Sequence, residues 1–200
     1  MSDLTFFSKK PVFCPVCEAS FFREEMRTGR GRLIAGSVTQ ELRRTYEPSQ
    51  KYGEVFPLIY TIMVCPNCYY AAFPADFLNV PEDIAQRLNQ GMTDRFETIR
   101  PVFQRIEFAE PRTIREGIAS YYFAIQCYDS FPKDFSPTLK QGIASLRAAW
   151  LSTDLHRLEP GENFDVLANL FYRKARFFYA YAIEQEQTGA ETIPNDFHLG

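Results

Sequence analysis

Apolar side chains recur every three or four positions from residue 79 onward, whereas before it they come in short runs broken by glycine and polar residues. Three helices follow from that spacing. Residues 112–130 carry Ile114, Ile118, Tyr121, Tyr122, Ile125 and Tyr128. Residues 136–157 carry Leu139, Ile143, Leu146 and Trp150, with Ser136 as N-cap and Pro137 at the first helical position. Residues 163–187 carry Phe164, Leu167, Ala168, Phe171, Ala175, Phe178 and Ala182, and Gly189 stops them. Leu158-Glu-Pro-Gly separates the last two. Upstream, Asn79-Val-Pro-Glu-Asp reads as a helix start, with Ile84 and Leu88 on one face. Phe96, Ile99, Phe103 and Ile106 continue at helical spacing, and Pro101 should bend or break that run or begin a new helix.

The earlier part predicts strands instead. Ala19-Ser-Phe-Phe and the eight residues from Pro57 to Val64 have the aromatic and β-branched content of paired strands. Residues 28–32 are a glycine-bearing turn, and 37–56 read as a long polar loop with at most a helical turn at 40–46. The chain therefore divides into 1–78, 79–190 and a loose tail over 191–200. Short connections make the three long helices antiparallel neighbours. Ala168, Tyr172 and Ala175 have the small–large–small spacing of a tetratricopeptide helix, but no regular 34-residue period appears. The expected fold is α+β, mostly α: a small β segment followed by a tetratricopeptide-like helical bundle.

Composition narrows the function. The 200 residues are 46% hydrophobic and 16% aromatic, enough for a packed core, and the net charge of −3 argues against nucleic acid or anionic membrane as a default partner. The amino end lacks a basic region followed by an apolar core and cleavage site. The longest apolar run, residues 56–65, is about half of the roughly 20 residues that span a bilayer. The expected location is the cytoplasm, where paired cysteines signal metal or redox chemistry more often than disulfides.

Four of the five cysteines form two pairs, Cys14-Pro-Val-Cys17 and Cys65-Pro-Asn-Cys68, separated by 47 residues. Two such knuckles beside predicted strands make a zinc ribbon: thiolates are strong ligands for a tetrahedral Zn²⁺, and each short turn lets two sulfurs reach one ion. Four thiolates leave no open coordination position, so the ion should be structural. The residues after each second cysteine are Glu18 and Tyr69, where glycine would adopt positive φ more easily. Either these residues bear a strain of about 1 kcal/mol, or the knuckles are shaped differently. The competing reading is a thiol–disulfide oxidoreductase. That would place the motif at the start of a helix in a βαβ unit, and no clear helix begins at Cys68.

Other candidates are weaker. Cys127 reads as a small buried residue, His156 as a helix-end cation and His198 as part of the tail. Arg23, Arg27, Arg30, Arg32, Arg43 and Arg44 gather in the cysteine segment, where residues 1–64 hold 9 Lys/Arg against 7 Asp/Glu. They could touch phosphates, or they could solvate a loop and pair with Glu24, Glu25, Glu41 and Glu47. No nucleophilic triad, zincin motif or phosphate loop occurs.

The segments KPVFCPVCEASF, LRRTYEPSQKYGEVFPLIYTIMVCPNCYYAAF, SYYFAIQCYD and SLRAAWLSTDL together resemble the bacterial family known only as domain of unknown function 2225, over roughly residues 9–185. The resemblance implies Cys14, Cys17, Cys65 and Cys68 as metal ligands and implies no activity. The expected function is a non-enzymatic, zinc-stabilised protein-interaction or scaffold module, with one zinc ion as cofactor and a protein partner. A nucleic-acid-binding zinc ribbon using the arginine cluster and a C-x-x-C oxidoreductase are the alternatives. Neither a membrane nor a small-molecule substrate is indicated.

Overall fold

A computed structural model describes residues 4–194. Eight short strands precede six helices. The strands are β1 (Thr5–Phe7), β2 (Val12–Phe13), β3 (Ser20–Phe21), β4 (Glu24–Met26), β5 (Ile34–Val38), β6 (Arg44–Glu47), β7 (Met63–Val64) and β8 (Ala71–Ala72). All four pairings are antiparallel. β1 pairs with β4 and β2 with β3, so residues 5–26 form one nested ribbon with Cys14 and Cys17 at its tip. β7 and β8 make a second hairpin, with Cys65 and Cys68 at its tip.

β5 and β6 form a third hairpin inside the region expected to be loop. Most of their residues face solvent, so the alternation of polar and apolar positions that marks a half-buried strand was absent from the sequence. The expected long strand from Pro57 to Val64 is also shorter than predicted. Pro57 opens a 3₁₀ turn, Pro57–Tyr60, and only Met63–Val64 pairs as strand. Proline fixes φ in the helical range at the first position of a turn. The carbonyls freed from a ladder find other donors: Leu58 O accepts from the Tyr121 hydroxyl at 2.8 Å and Ile62 O from Arg112 Nη1 at 2.8 Å.

The helices are α1 (Pro74–Phe77), α2 (Glu82–Gln90), α3 (Met92–Ile99), α4 (Ile114–Tyr128), α5 (Pro137–Leu158) and α6 (Phe164–Gln187). The three long ones match the periodicity. α3 ends at Ile99, two residues before Pro101. Phe103 and Ile106 are buried from non-helical backbone, not from a continued helix. α1 was not anticipated, being one turn long behind Pro74. Thr113 starts α4 with a capping box: its hydroxyl accepts from Arg115 N at 3.2 Å, and Glu116 returns a carboxylate to Thr113 N at 2.9 Å.

Ser136 is not the side-chain cap of α5. Its backbone is left-handed, with φ 49°, and its hydroxyl donates to Thr192 O at 2.6 Å. Glu191 caps that helix from the far end of the chain, accepting from Thr138 N at 3.1 Å and Thr138 Oγ1 at 2.6 Å. Glu191 is buried and also pairs with Lys133, so the first residues of the stretch expected as a loose tail are held at the start of α5, and residues 195–200 of that stretch lie outside the described residues. His198 lies outside the described residues. His156 sits in the last turn of α5, near Asp165.

α5 lies between α4 and α6, packing on both. It is buried on nearly every side, which is why small residues (Gly142, Ala144, Ala148, Ala149) recur on it. Ser145 and Ser152 satisfy their hydroxyls on Gln141 O and Ala148 O within the helix. One hydrophobic cluster runs from Cys14 through Tyr70, Phe77, Phe123 and Leu151 to Phe171, so the cysteine hairpins and the helices share a core. No helix among the described residues is long and apolar enough to cross a membrane.

Candidate metal centre

The two knuckles have matching backbones. In the first, Glu18 N donates to Cys14 O and Cys14 N to Ala19 O, each at 2.9 Å. In the second, Tyr69 N donates to Cys65 O and Cys65 N to Tyr70 O, again at 2.9 Å. Both turns close through a left-handed residue: φ is 61° at Glu18 and 57° at Tyr69. The knuckle geometry expected for glycine is therefore kept by two residues that carry a Cβ.

These turns bring all four sulfurs together. The ligand atoms of Cys14, Cys17, Cys65 and Cys68 lie within 4.8 Å of one another. Two of these approaches cross between knuckles: Cys14 Sγ is 3.7 Å from Cys68 Sγ, and Cys17 Sγ is 3.7 Å from Cys65 Sγ. A tetrahedron with Zn–S bonds of about 2.3 Å has edges of about 3.8 Å. The donor set, its spacing and its thiolate chemistry fit a tetrahedral metal ion such as zinc.

Backbone and side-chain donors surround the sulfurs. Val16 N donates to Cys14 Sγ at 3.4 Å, and the Asn67 amide reaches across from the other knuckle to Cys17 Sγ at 3.4 Å. Cys14, Cys65 and Cys68 share protons with one another. Hydrogen bonding to Cys14, with Cys68 next, pulls Cys65 well below the usual thiol range, helped by the backbone N–H groups of Cys68 and Asn67. The same proton sharing pushes Cys14 and Cys68 up. The buried guanidinium of Arg95 adds a positive charge nearby, donating to Cys68 O at 2.8 Å and to Leu88 O at 2.6 Å. Cys14, Cys65 and Cys68 are buried, and Cys17 is partly exposed.

The structure also places the remaining candidates. Cys127 is fully buried, accepts from Ala71 N at 3.4 Å and lies away from the four-sulfur cluster. The six arginines have divided roles. Arg32 is buried and lies over the Tyr52 ring, Arg27 lies over Phe6, and Arg43 pairs with Asp154 and lies over Trp150. Glu24 accepts from Arg112 N at 2.9 Å, and Glu41 accepts from Trp150 and Tyr172. Sequence reasoning missed Arg95 and Arg112, whose buried heads hold the hairpins to the helices. Nothing in their local pattern marks them, because each acts on carbonyls distant in sequence.

The family described as an uncharacterized protein conserved in bacteria (DUF2225) matches residues 7–196. An uncharacterized protein of Borreliella burgdorferi is 39% identical over 194 residues, covering 96% of this chain and 69% of that protein. No solved structure matches the chain. The chain thus belongs to the DUF2225 family of bacterial proteins.

Proposed function

We propose that this protein is a non-enzymatic interaction module whose fold is stapled by one structural zinc ion on Cys14, Cys17, Cys65 and Cys68. The observation that carries the reading is the pair of cross-knuckle sulfur separations, 3.7 Å each, at the edge length of a zinc tetrathiolate. Four protein sulfurs complete a tetrahedron, so the ion holds the fold and offers no position to a substrate. The strands of both cysteine hairpins are only two residues long, and zinc in such folds supplies about 10–16 kcal/mol of apparent binding energy. A redox pair needs only the two sulfurs of one knuckle, whereas here all four sulfurs draw within 4.8 Å of one another. None of the five cysteines is in a disulfide, which suits the cytoplasm.

The proposed partner is another protein, held on the surface that the hairpins and helices build together. Affinity capture from native lysate tests this with an Arg44→Glu chain as the folded control. A specific protein retained by the wild type and lost from the control supports the reading. Reduction of insulin disulfides by the purified chain would instead assign it to the oxidoreductases and overturn the proposal.

A further inference from the structure

The outer side of α6 carries large apolar side chains where a surface helix is ordinarily polar. We propose that it docks an amphipathic α-helix of a partner protein, one with acidic residues at the middle of its apolar stripe. This goes beyond the interaction-module reading. It names a face built by the helices alone, and it depends neither on the metal nor on the surface that Arg44 probes.

Spacing is the first argument. Val166, Leu170, Phe177 and Tyr181 follow one another at intervals of four, seven and four residues, which aligns them in one stripe at 3.6 residues per turn. Val166, Leu170 and Phe177 are each more than half exposed, whereas Ala168, Phe171, Ala175 and Ala182 form the buried side of the same helix. Tyr181 stacks on Phe177 with ring centroids 6.0 Å apart, and Lys133 lies over its ring. Single exposed apolar residues are ordinary, but an aligned set marks an interaction surface. The stripe is about 22 Å long at about 1.5 Å per residue, the length of a partner of four turns, and four-and-seven spacing is that of helices packed side by side.

Beside Leu170 the stripe meets an apolar pocket of about 150 Å³. Buried Ile99, Ile118 and Phe171 line it together with exposed Val102, Leu170 and Lys174. Small-molecule sites begin at about 300 Å³. An apolar cavity of this smaller size takes a group about as large as benzene, so the pocket suits one apolar side chain and gives a docked helix its anchor.

Charge selects the occupant. Arg173 and Lys174 fill the seven-residue gap, both exposed, and neither forms an ion pair among the described residues. A helix laid along the stripe covers these cations and must bring carboxylates to meet them. A second copy of the chain does not, because a two-fold pairing of α6 about the gap sets Arg173 and Lys174 against themselves. An anionic membrane fits poorly as well. A helix lying on a bilayer keeps its cations on the polar face, whereas here they interrupt the apolar stripe, and Glu184 continues it.

The zinc-loaded full chain is titrated by calorimetry with acetyl-ALAQALAQEEAALAQALA-amide, which repeats the spacing of the stripe with two glutamates in its gap. The same peptide with lysines replacing both glutamates is the control. The expected result is saturable binding of the acidic peptide only, weakened at least tenfold by Phe177→Asp and by Lys174→Glu, both exposed positions, with the circular dichroism of the wild type retained. In the chain carrying Arg173→Glu and Lys174→Glu together the preference inverts to the lysine peptide, which a merely structural role for these residues does not produce. The proposal is overturned by no saturable heat up to about 1 mM peptide, the weak limit of specific recognition, by equal binding of both peptides, or by unchanged affinity in Phe177→Asp. It is also overturned if sedimentation finds the wild type dimeric and Phe177→Asp monomeric, which gives the stripe to a second copy. Flotation of the wild type but not of Phe177→Asp with phosphatidylserine vesicles gives it to a membrane and overturns it too. Zinc content is measured on the same samples: peptide binding by a folded chain without zinc supports this proposal and refutes the metal reading, and zinc without peptide binding does the opposite.

Discussion

Glu18 and Tyr69 occupy the same place in their knuckles and meet its cost differently. Both are left-handed, which for a residue with a Cβ costs on the order of 1–2 kcal/mol. Glu18 is exposed and offers nothing visible in return. Tyr69 covers the second knuckle with its ring, which stacks on Phe96 at 5.1 Å and meets Phe123 at 5.3 Å and Phe108 at 6.4 Å. The two glycine substitutions therefore part company. Glu18→Gly should leave stability unchanged or raise it by up to about 1 kcal/mol, the relieved strain being partly offset by a more flexible unfolded chain. Tyr69→Gly should cost about 2–4 kcal/mol through lost aromatic packing. Urea midpoints of the two variants measure the difference. Cys127 gives a second test. Burial raises its thiol from 9.0 to about 11, so the neutral form is favoured in the folded state. Its contribution to stability is then complete below about pH 9 and lost as pH rises through about 11. At pH 8 iodoacetamide should leave Cys127 unmodified in the folded protein and alkylate it readily in urea, as read by peptide mass spectrometry.

Among the elements, the junction between the second hairpin and α4 carries the tightest constraints. Arg112 is buried, lies over the Phe108 ring, and donates from Nη1 to Ile62 O at 2.8 Å and to Ile59 O at 3.3 Å. Arg112→Leu removes the donor and leaves two carbonyls and the Glu24 carboxylate without this cation, for an expected loss of about 3–5 kcal/mol. Gly117 is the complementary case. A Cβ there would lie 3.0 Å from Ile59 Cγ1, 3.0 Å from Leu151 Cδ1 and 3.2 Å from the Ile59 Cα. Gly117→Ala should destabilise by about 1–3 kcal/mol, against the roughly 1 kcal/mol gain that alanine brings to an exposed helix position; differential scanning calorimetry reads the sign. These contacts also explain what could be read beforehand. The long helices were legible because each buries a face at a fixed period, and the four-cysteine cluster because the knuckle occurs twice. The β5–β6 hairpin was not, since both its faces are largely solvated. Nor was the 3₁₀ turn at Pro57, whose Leu58 and Ile59 carbonyls accept from Tyr121 and Arg112 more than 50 residues away.

Across the whole molecule, the hairpins and helices share one hydrophobic cluster that includes Cys14, Cys65 and Cys68. Ion pairs tie the same parts together: Arg43 with Asp154, and Arg157 with Glu54. Loss of the metal should therefore be felt in the helices, with chelation lowering the midpoint of the helical transition as well as dissolving the hairpin tips. The most direct test of the central claim is elemental analysis of the protein purified without added metal, joined to sulfur-ligand distances from X-ray absorption. The account predicts one zinc per chain bound by four sulfurs at about 2.3 Å, and loss of that zinc in Cys65→Ser. A folded chain with no stoichiometric metal and four freely titrating thiols would contradict it.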